Sequence, residues 1–265
     1  MGGAPGPSHV KQLSLEYTST KSIFTFDVAG KILMTVTFLS PVYPDDMGRQ
    51  SQQFSYIIAK AKSSDGSPHD VQVYMDVSGE WASGDNGQVV QWDTGNSGDI
   101  AYHKFFRKDQ EQFREANEIA SWGNWYLATQ STSGLTWQIG QDKAVRGQFA
   151  NSRLLANTKE SNFRPSLRID QVINFAGQSR QLTPLPGLWS SYYKDDISAV
   201  VAFFKDYQHA CKVSSELDDR IQSDSEEAAG KDYALITTLA VRQTFGALQY
   251  AGTPSKPYIF LKEIS

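Results

Sequence analysis

Up to about residue 190 the apolar positions fall in short β-branched and aromatic runs punctuated by Gly, Pro, Ser and Asp, and beyond it they recur three and four apart. Val10, Leu13, Leu15 and Tyr17 mark a first, loosely alternating segment. A clearer pair follows: Ile23–Val28 and Ile32–Leu39, joined through Ala29, Gly30 and Lys31, have the turn chemistry of a hairpin. Pro41 and Pro44 stop the second strand and leave Asp45 and Asp46 in the turn after it. Gln53–Lys62 and Val71–Trp81, on either side of Ser63–Pro68, predict a second hairpin-like unit. Val89–Trp92, Ile100–Phe106, Trp122–Thr129, Leu135–Ile139 and Ile173–Phe175 predict further strands at short spacing. The succession predicts a mainly β chain built as an antiparallel sandwich. Asp142–Asn162 reads as loop with a helical turn, and Gln178–Ser191, with Pro184, Pro186 and Gly187, as a connector.

Between Lys194 and Tyr250 the spacing predicts two long helices. Ile197, Val200, Val201, Phe204, Tyr207 and Cys211, continued by Leu217 and Ile221, form one apolar stripe, with Asp195 and Asp196 supplying the N-cap and favourable charge. The second helix, from about Ser225 to Tyr250, spreads Tyr233, Leu235, Ile236, Leu239, Ala240, Val241, Phe245 and Leu248 around most of its circumference and is expected to be buried on several sides. Two helices cannot close a helical domain of their own. Gly252–Pro257 then leads into an apolar run from Tyr258 that reads as the start of another element. The expectation is a fragment: a β-sandwich over residues 1–185, then a linker and the beginning of a helical domain over 186–265. Its apolar surface would be covered by the sandwich, by further helices or by a second copy, so a homodimer is expected where the other two are lacking.

Composition narrows the partner. Forty per cent hydrophobic and 12% aromatic content is ample for a core. Twenty-five basic and 29 acidic residues give a net charge of −4 without a long run of either sign, so neither a nucleic-acid surface nor a polybasic membrane patch is expected. A small or neutral partner fits better. No run approaches the ~18 consecutive apolar residues of a membrane span. Met1–Pro7 has neither a basic nor an apolar signal region, so the chain reads as soluble with no export signal of its own. Cys211 is the single cysteine, so no intrachain disulfide forms, and its place on the apolar stripe reads as a structural thiol.

The densest polar cluster is Asp76–Gly87, whose carboxylates and amides are of the type Ca²⁺ accepts but lack the spacing of a calcium loop; Asx turns explain them equally. Glu80 and Asp85 within it are candidates for a carboxylate pair in acid–base hydrolysis. Trp81, Trp122 and Trp125 are candidates for ring stacking on a ligand, set against a plain core role. His9, His69, His103 and His209 have no metal-ligand spacing, and no metal or cofactor is expected. Arg242, within the most apolar helix, demands a carboxylate or carbonyls from another element, or else holds a substrate carboxylate. No phosphate-binding glycine loop, Gly-x-Ser-x-Gly elbow or Cys/His dyad is present.

Several segments together resemble one family, the fungal glutaminase A-like proteins: Glu16–Phe26, Val36–Asp46, Asp76–Asp85, Leu188–Tyr193 and Gly230–Leu248, in the family's order. The resemblance implies a supersandwich-like β-domain followed by an (α/α) toroid in a secreted parent protein, which converts L-glutamine to L-glutamate and ammonia. It also implies that most active-site loops lie in helices beyond this chain, so that the chain alone is catalytically incomplete. Glu263 and Arg242 are cleft candidates by position in it. The alternatives are a non-enzymatic sandwich that binds carbohydrate or a cell-surface partner through exposed aromatics and, more weakly, a glycoside hydrolase.

Overall fold

The computed structural model describes residues 9–261 apart from 84, 86, 113, 118, 162–172 and 177–181. The chain is mainly β, with helices concentrated toward its C-terminal end. It divides into two compact units: one joins Val10–Val71 to the stretch from Leu188 onward, and the other comprises Gln72–Gly187.

The first unit opens with β1 (Lys11–Tyr17), β2 (Lys21–Val28), β3 (Ile32–Leu39), the short helix α1 (Met47–Gln50) and β4 (Tyr56–Ser63). The strands form an antiparallel meander in sequence order. The expected hairpin is present, with Val28 opposite Ile32 and Lys21 opposite Leu39. Ala29 and Gly30 take φ of 56° and 68°, the left-handed conformation that lets a tight hairpin keep the strand twist. Asp46 caps α1, its carboxylate accepting from the Arg49 N–H at 3.0 Å.

The second predicted hairpin does not form. After β4 the chain turns at Asp65, whose carboxylate accepts from the Ser67 N–H at 2.9 Å, and residues 64–78 contain no strand. Val71, Val73 and Met75 stay exposed, because their alternation finds neither a neighbouring ladder nor a face to cover.

The second unit contains a 3₁₀ turn, Gly79–Trp81, then β5 (Val90–Ser97), β6 (Ile100–Arg107), β7 (Glu115–Ala116), β8 (Ile119–Ala120) and β9 (Trp125–Gln130). β5, β6 and β9 make an antiparallel sheet in that order, and β7 pairs with β8. β10 (Gln138–Ile139) runs parallel to β11 (Thr158–Lys159), with α2 (Asp142–Ser152) between them. The expected helical turn is thus a helix of 11 residues, ended by Arg153 in the left-handed conformation at φ 60°. β12 (Ile173–Ala176) and β13 (Leu182–Leu185) pair antiparallel, so the predicted connector contains a strand. The apolar centre of this unit is Ala82 and Val90 with Trp92, Phe105 and Trp125 around them.

The chain returns to the first unit through a 3₁₀ turn, Leu188–Ser191, and continues as α3 (Asp196–Lys205), α4 (Tyr207–Ala229), α5 (Lys231–Ala247), β14 (Leu248–Thr253) and β15 (Lys256–Leu261). Asp195 and Ser198 form a reciprocal capping box at the start of α3, as the acidic pair predicted. Three helices stand where two were expected. The first break falls at Asp206, inside the expected stripe, and the second at Gly230, whose φ of 86° suits glycine. The run after the Gly252 stop is β15, which pairs with β14.

Leu39, Tyr43 and Tyr56 from the sheet side meet Phe203 and Ala210 from α3 and α4, with Cys211 half-buried against them. Tyr56 stacks on Phe203 with ring centroids 4.2 Å apart, and its hydroxyl donates to the Phe203 carbonyl. The expectation for α5 fails: its buried residues are Ala234, Thr238 and Ala247, while Tyr233, Leu235, Ile236 and Leu239 are exposed. Its partners on this chain, α4 and the β1–β2 turn, cover one side of it.

Candidate functional site

The turn between β1 and β2 is held from both long helices. Asp218 on α4, 8% exposed, accepts from the Thr18 hydroxyl at 2.8 Å, the Thr20 N–H at 3.0 Å and the Thr20 hydroxyl at 2.7 Å, and pairs with the Lys21 ammonium at 3.2 Å. Arg242 on α5 donates to the carbonyls of Thr18 at 3.2 Å and Lys21 at 2.9 Å, and to the Ser22 hydroxyl at 2.6 Å. Arg242 therefore has the carbonyl partners that its burial demanded, on an element far away in sequence.

A second charged group surrounds the break between α3 and α4. Arg49 grips Asp206 with two nitrogens, Nε at 2.9 Å and Nη2 at 3.2 Å, and reaches Asp46 through Nη1 at 2.6 Å. The hydrogen bonds to Asp206 and then Asp46 raise the guanidinium above its already high ordinary value. Burial alone would raise the Asp46 carboxyl, but hydrogen bonds from the Arg49 backbone and guanidinium outweigh it and hold the group below the usual range. The Tyr43 hydroxyl donates to Asp206 at 3.3 Å. Burial first, and the Asp206 carboxylate second, push this phenol up, so it stays a protonated donor.

Beside this group lies a cavity of about 300 Å³, between the loop Val42–Asp46 and the face of α4 that carries His209, Val213, Glu216, Leu217 and Arg220. The His209 ring stacks on Tyr43 with centroids 6.1 Å apart. A floor of aliphatic and aromatic carbon, rimmed by carboxylates and a guanidinium, can hold a small polar molecule with an apolar stem.

The residues singled out in the sequence are dispersed. Glu80 is exposed on the 3₁₀ turn. Asp85 accepts from the Gln88 amide at 2.6 Å and the Gly87 N–H at 2.9 Å, which in that order hold its carboxyl below the usual range: the electrostatics of an Asx turn. Asp76 is ion-paired with Arg146 at 2.7 Å and accepts from the Tyr74 hydroxyl at 2.7 Å. Trp122 is 6% exposed and Trp125 packs against the apolar centre, whereas Trp81 is 59% exposed with its ring 5.7 Å from that of Trp125. Glu263 lies outside the described residues. Among the described residues, no group of three or more His, Cys, Asp or Glu could hold a metal ion, and no helix is long and apolar enough to cross a membrane. Sequence reasoning missed Arg49, Asp206, Asp218 and Arg220. The signal for Asp218 was its place on an i, i+4 line of small and polar residues, Ala210 and Ser214 before it, that forms the buried face of α4.

Comparison with known proteins meets this geometry. The family described as Domain of unknown function (DUF5127) matches residues 20–169 and 165–224, and that described as Glutaminase A six helical-hairpin domain matches residues 230–265. Antiparallel sheets followed by helices, with these two matches in succession, define a two-part protein in which a β-rich region precedes helical-hairpin sequence. Glutaminase A of Aspergillus oryzae is 44% identical over 293 residues, a match covering 100% of this chain and 42% of that protein. A probable glutaminase of Arthroderma benhamiae is 28% identical over 282 residues, covering 90% of this chain and 32% of that protein. This chain belongs to the fungal glutaminase A-like family. It spans less than half the length of these curated relatives. No solved structure matches it.

Proposed function

We propose that this chain is the N-terminal portion of an amidohydrolase that converts L-glutamine to L-glutamate and ammonia, and that turnover requires the helical-hairpin sequence with which its relatives continue. The observation that carries the proposal is the match to Aspergillus oryzae glutaminase A, which runs through all of this chain yet covers 42% of that protein. The exposed apolar side of α5 supports it: Ile236 is 65% exposed, and the helical-hairpin match begins one residue before this helix. A face of that kind is the seat for further helices of an (α/α) toroid. Hydrolysis of the side-chain amide requires attack by water on its carbonyl carbon, donors that stabilise the resulting oxyanion and a proton for the departing ammonia. The role left to the present chain is to build the β-region and to present α4 and α5 to the remaining helices. Secretion of the parent protein belongs to the same proposal and rests on the family resemblance alone.

The test is ammonia release from L-glutamine by this chain beside a chain extended to the full length of the relatives. The expected result is turnover in the longer protein alone. Turnover in both overturns the incompleteness of this chain, and turnover in neither overturns the glutaminase reading.

A further inference from the structure

We infer that the cavity between Val42–Asp46 and α4 binds a free amino acid by its zwitterionic head, with Asp45 receiving the α-ammonium and Arg220 the α-carboxylate. The ligand class is that of the proposed reaction, so the inference rests on that reading.

The argument is an accounting of the charges around the cavity. Asp46 is taken by Arg49, at 2.6 Å. Glu216 has Lys212 one turn behind it, at 3.8 Å. His209 lies flat against Tyr43. Two charged groups on the lining remain, Asp45 on the loop and Arg220 on α4, and neither has an ion pair or a side-chain hydrogen bond among the described residues. One is an acceptor for an ammonium and the other a planar fork suited to a carboxylate. A ligand carrying one charge would leave the other rim group unanswered, whereas an α-amino acid satisfies both. Val42, Val213 and Leu217 supply carbon for a short side-chain stem. A volume of about 300 Å³ is at the lower end of the ~300–1,000 Å³ of small-molecule sites, which suits a single amino acid and excludes an oligosaccharide.

The experiment is calorimetric titration of the 265-residue chain with L-glutamine, with L-glutaminamide, which lacks the carboxylate, and with glutaramate, which lacks the ammonium. The expected result is saturable binding of L-glutamine, at least tenfold tighter than either analogue. Arg220→Gln should weaken L-glutamine at least tenfold and abolish its advantage over L-glutaminamide. Asp45→Asn should do the same with respect to glutaramate. Both side chains are exposed, so an unchanged thermal unfolding midpoint certifies each variant as folded. Absence of saturable L-glutamine binding, or glutaramate and L-glutaminamide binding as tightly as L-glutamine, overturns the inference. The two readings separate in the full-length protein. Ammonia release with KM unchanged in both variants sinks the cavity and leaves the reaction standing, and no ammonia release at all sinks the reaction.

Discussion

Asp218→Ala is the sharpest perturbation of the first unit. It removes a carboxylate that is 8% exposed and that accepts from two hydroxyls and a backbone N–H while pairing with Lys21. The Thr20 N–H keeps a weaker bond to the Thr18 hydroxyl at 3.3 Å, and the Lys21 ammonium keeps Ser215 at 2.9 Å, so the two threonine hydroxyls lose most. A hydrogen bond to a charged group contributes about 1.5–3 kcal/mol, but the four share one carboxylate and do not add. Breaking a buried pair from one side costs about 3–5 kcal/mol, and the expectation for Asp218→Ala is in that range, a factor of roughly a thousand in the unfolding constant. Asp218→Asn keeps the shape and one acceptor oxygen, and should cost about half as much. Urea unfolding followed at 222 nm reads this unit well, because α3, α4 and α5 lie in it. A loss below about 1 kcal/mol at unchanged m-value would refute the claim that Asp218 anchors the β1–β2 turn. A double-mutant cycle with Thr20→Val should return a coupling of about 1–2 kcal/mol, and zero coupling would mean that the cost came from elsewhere.

Acid should weaken the group around Asp206. The Asp46 carboxyl is held below its unfolded value of about 3.9, so its contribution is complete above that value and is lost as pH falls through the lower, folded one. Arg49→Ala should cost about 1–2 kcal/mol at pH 7, and the gap to the parent chain should narrow below about pH 4 without closing, since the Arg49 backbone N–H still binds Asp46. Urea midpoints measured from pH 7 to 3 check both statements; a gap that widens toward acid refutes the sign. Gly252 has φ 90°, and a Cβ there would lie 2.4 Å from the Lys256 carbonyl oxygen. Gly252→Ala should cost about 1–3 kcal/mol, seen as faster amide exchange across β14 and β15, with exchange in β1–β4 left unchanged. Ile236→Ser should shift the stability of this chain by less than about 0.5 kcal/mol, because the side chain is 65% exposed. In the full-length protein the same change should cost about 2 kcal/mol or more if helices cover this face, and equal, negligible costs in the two lengths would refute that cover.

The sequence by itself determined what is settled within a few residues. The β2–β3 hairpin follows from its turn residues, the start of α3 from Asp195 and Ser198, and the end of the helical run from the glycine at 252 and the proline beyond it. Membership of the family was legible too, since identity runs through the whole chain. Tertiary structure decided the rest. Val71–Trp81 has a strand's composition and forms none, because a strand exists only with a partner ladder. The apolar stripe drawn through residue 206 is interrupted there, where Asp206 is gripped by an arginine 157 positions away. α4 buries small and polar residues that no hydrophobic periodicity would choose, and Arg242 finds its carbonyl acceptors up to 224 positions distant. The cavity likewise exists because a loop before α1 and a face of α4 meet, with their charges matched in some places and left unmatched in others. Local patterning specifies which side of an element needs covering; what covers it, and which charges are thereby neutralised, is a property of the packed chain.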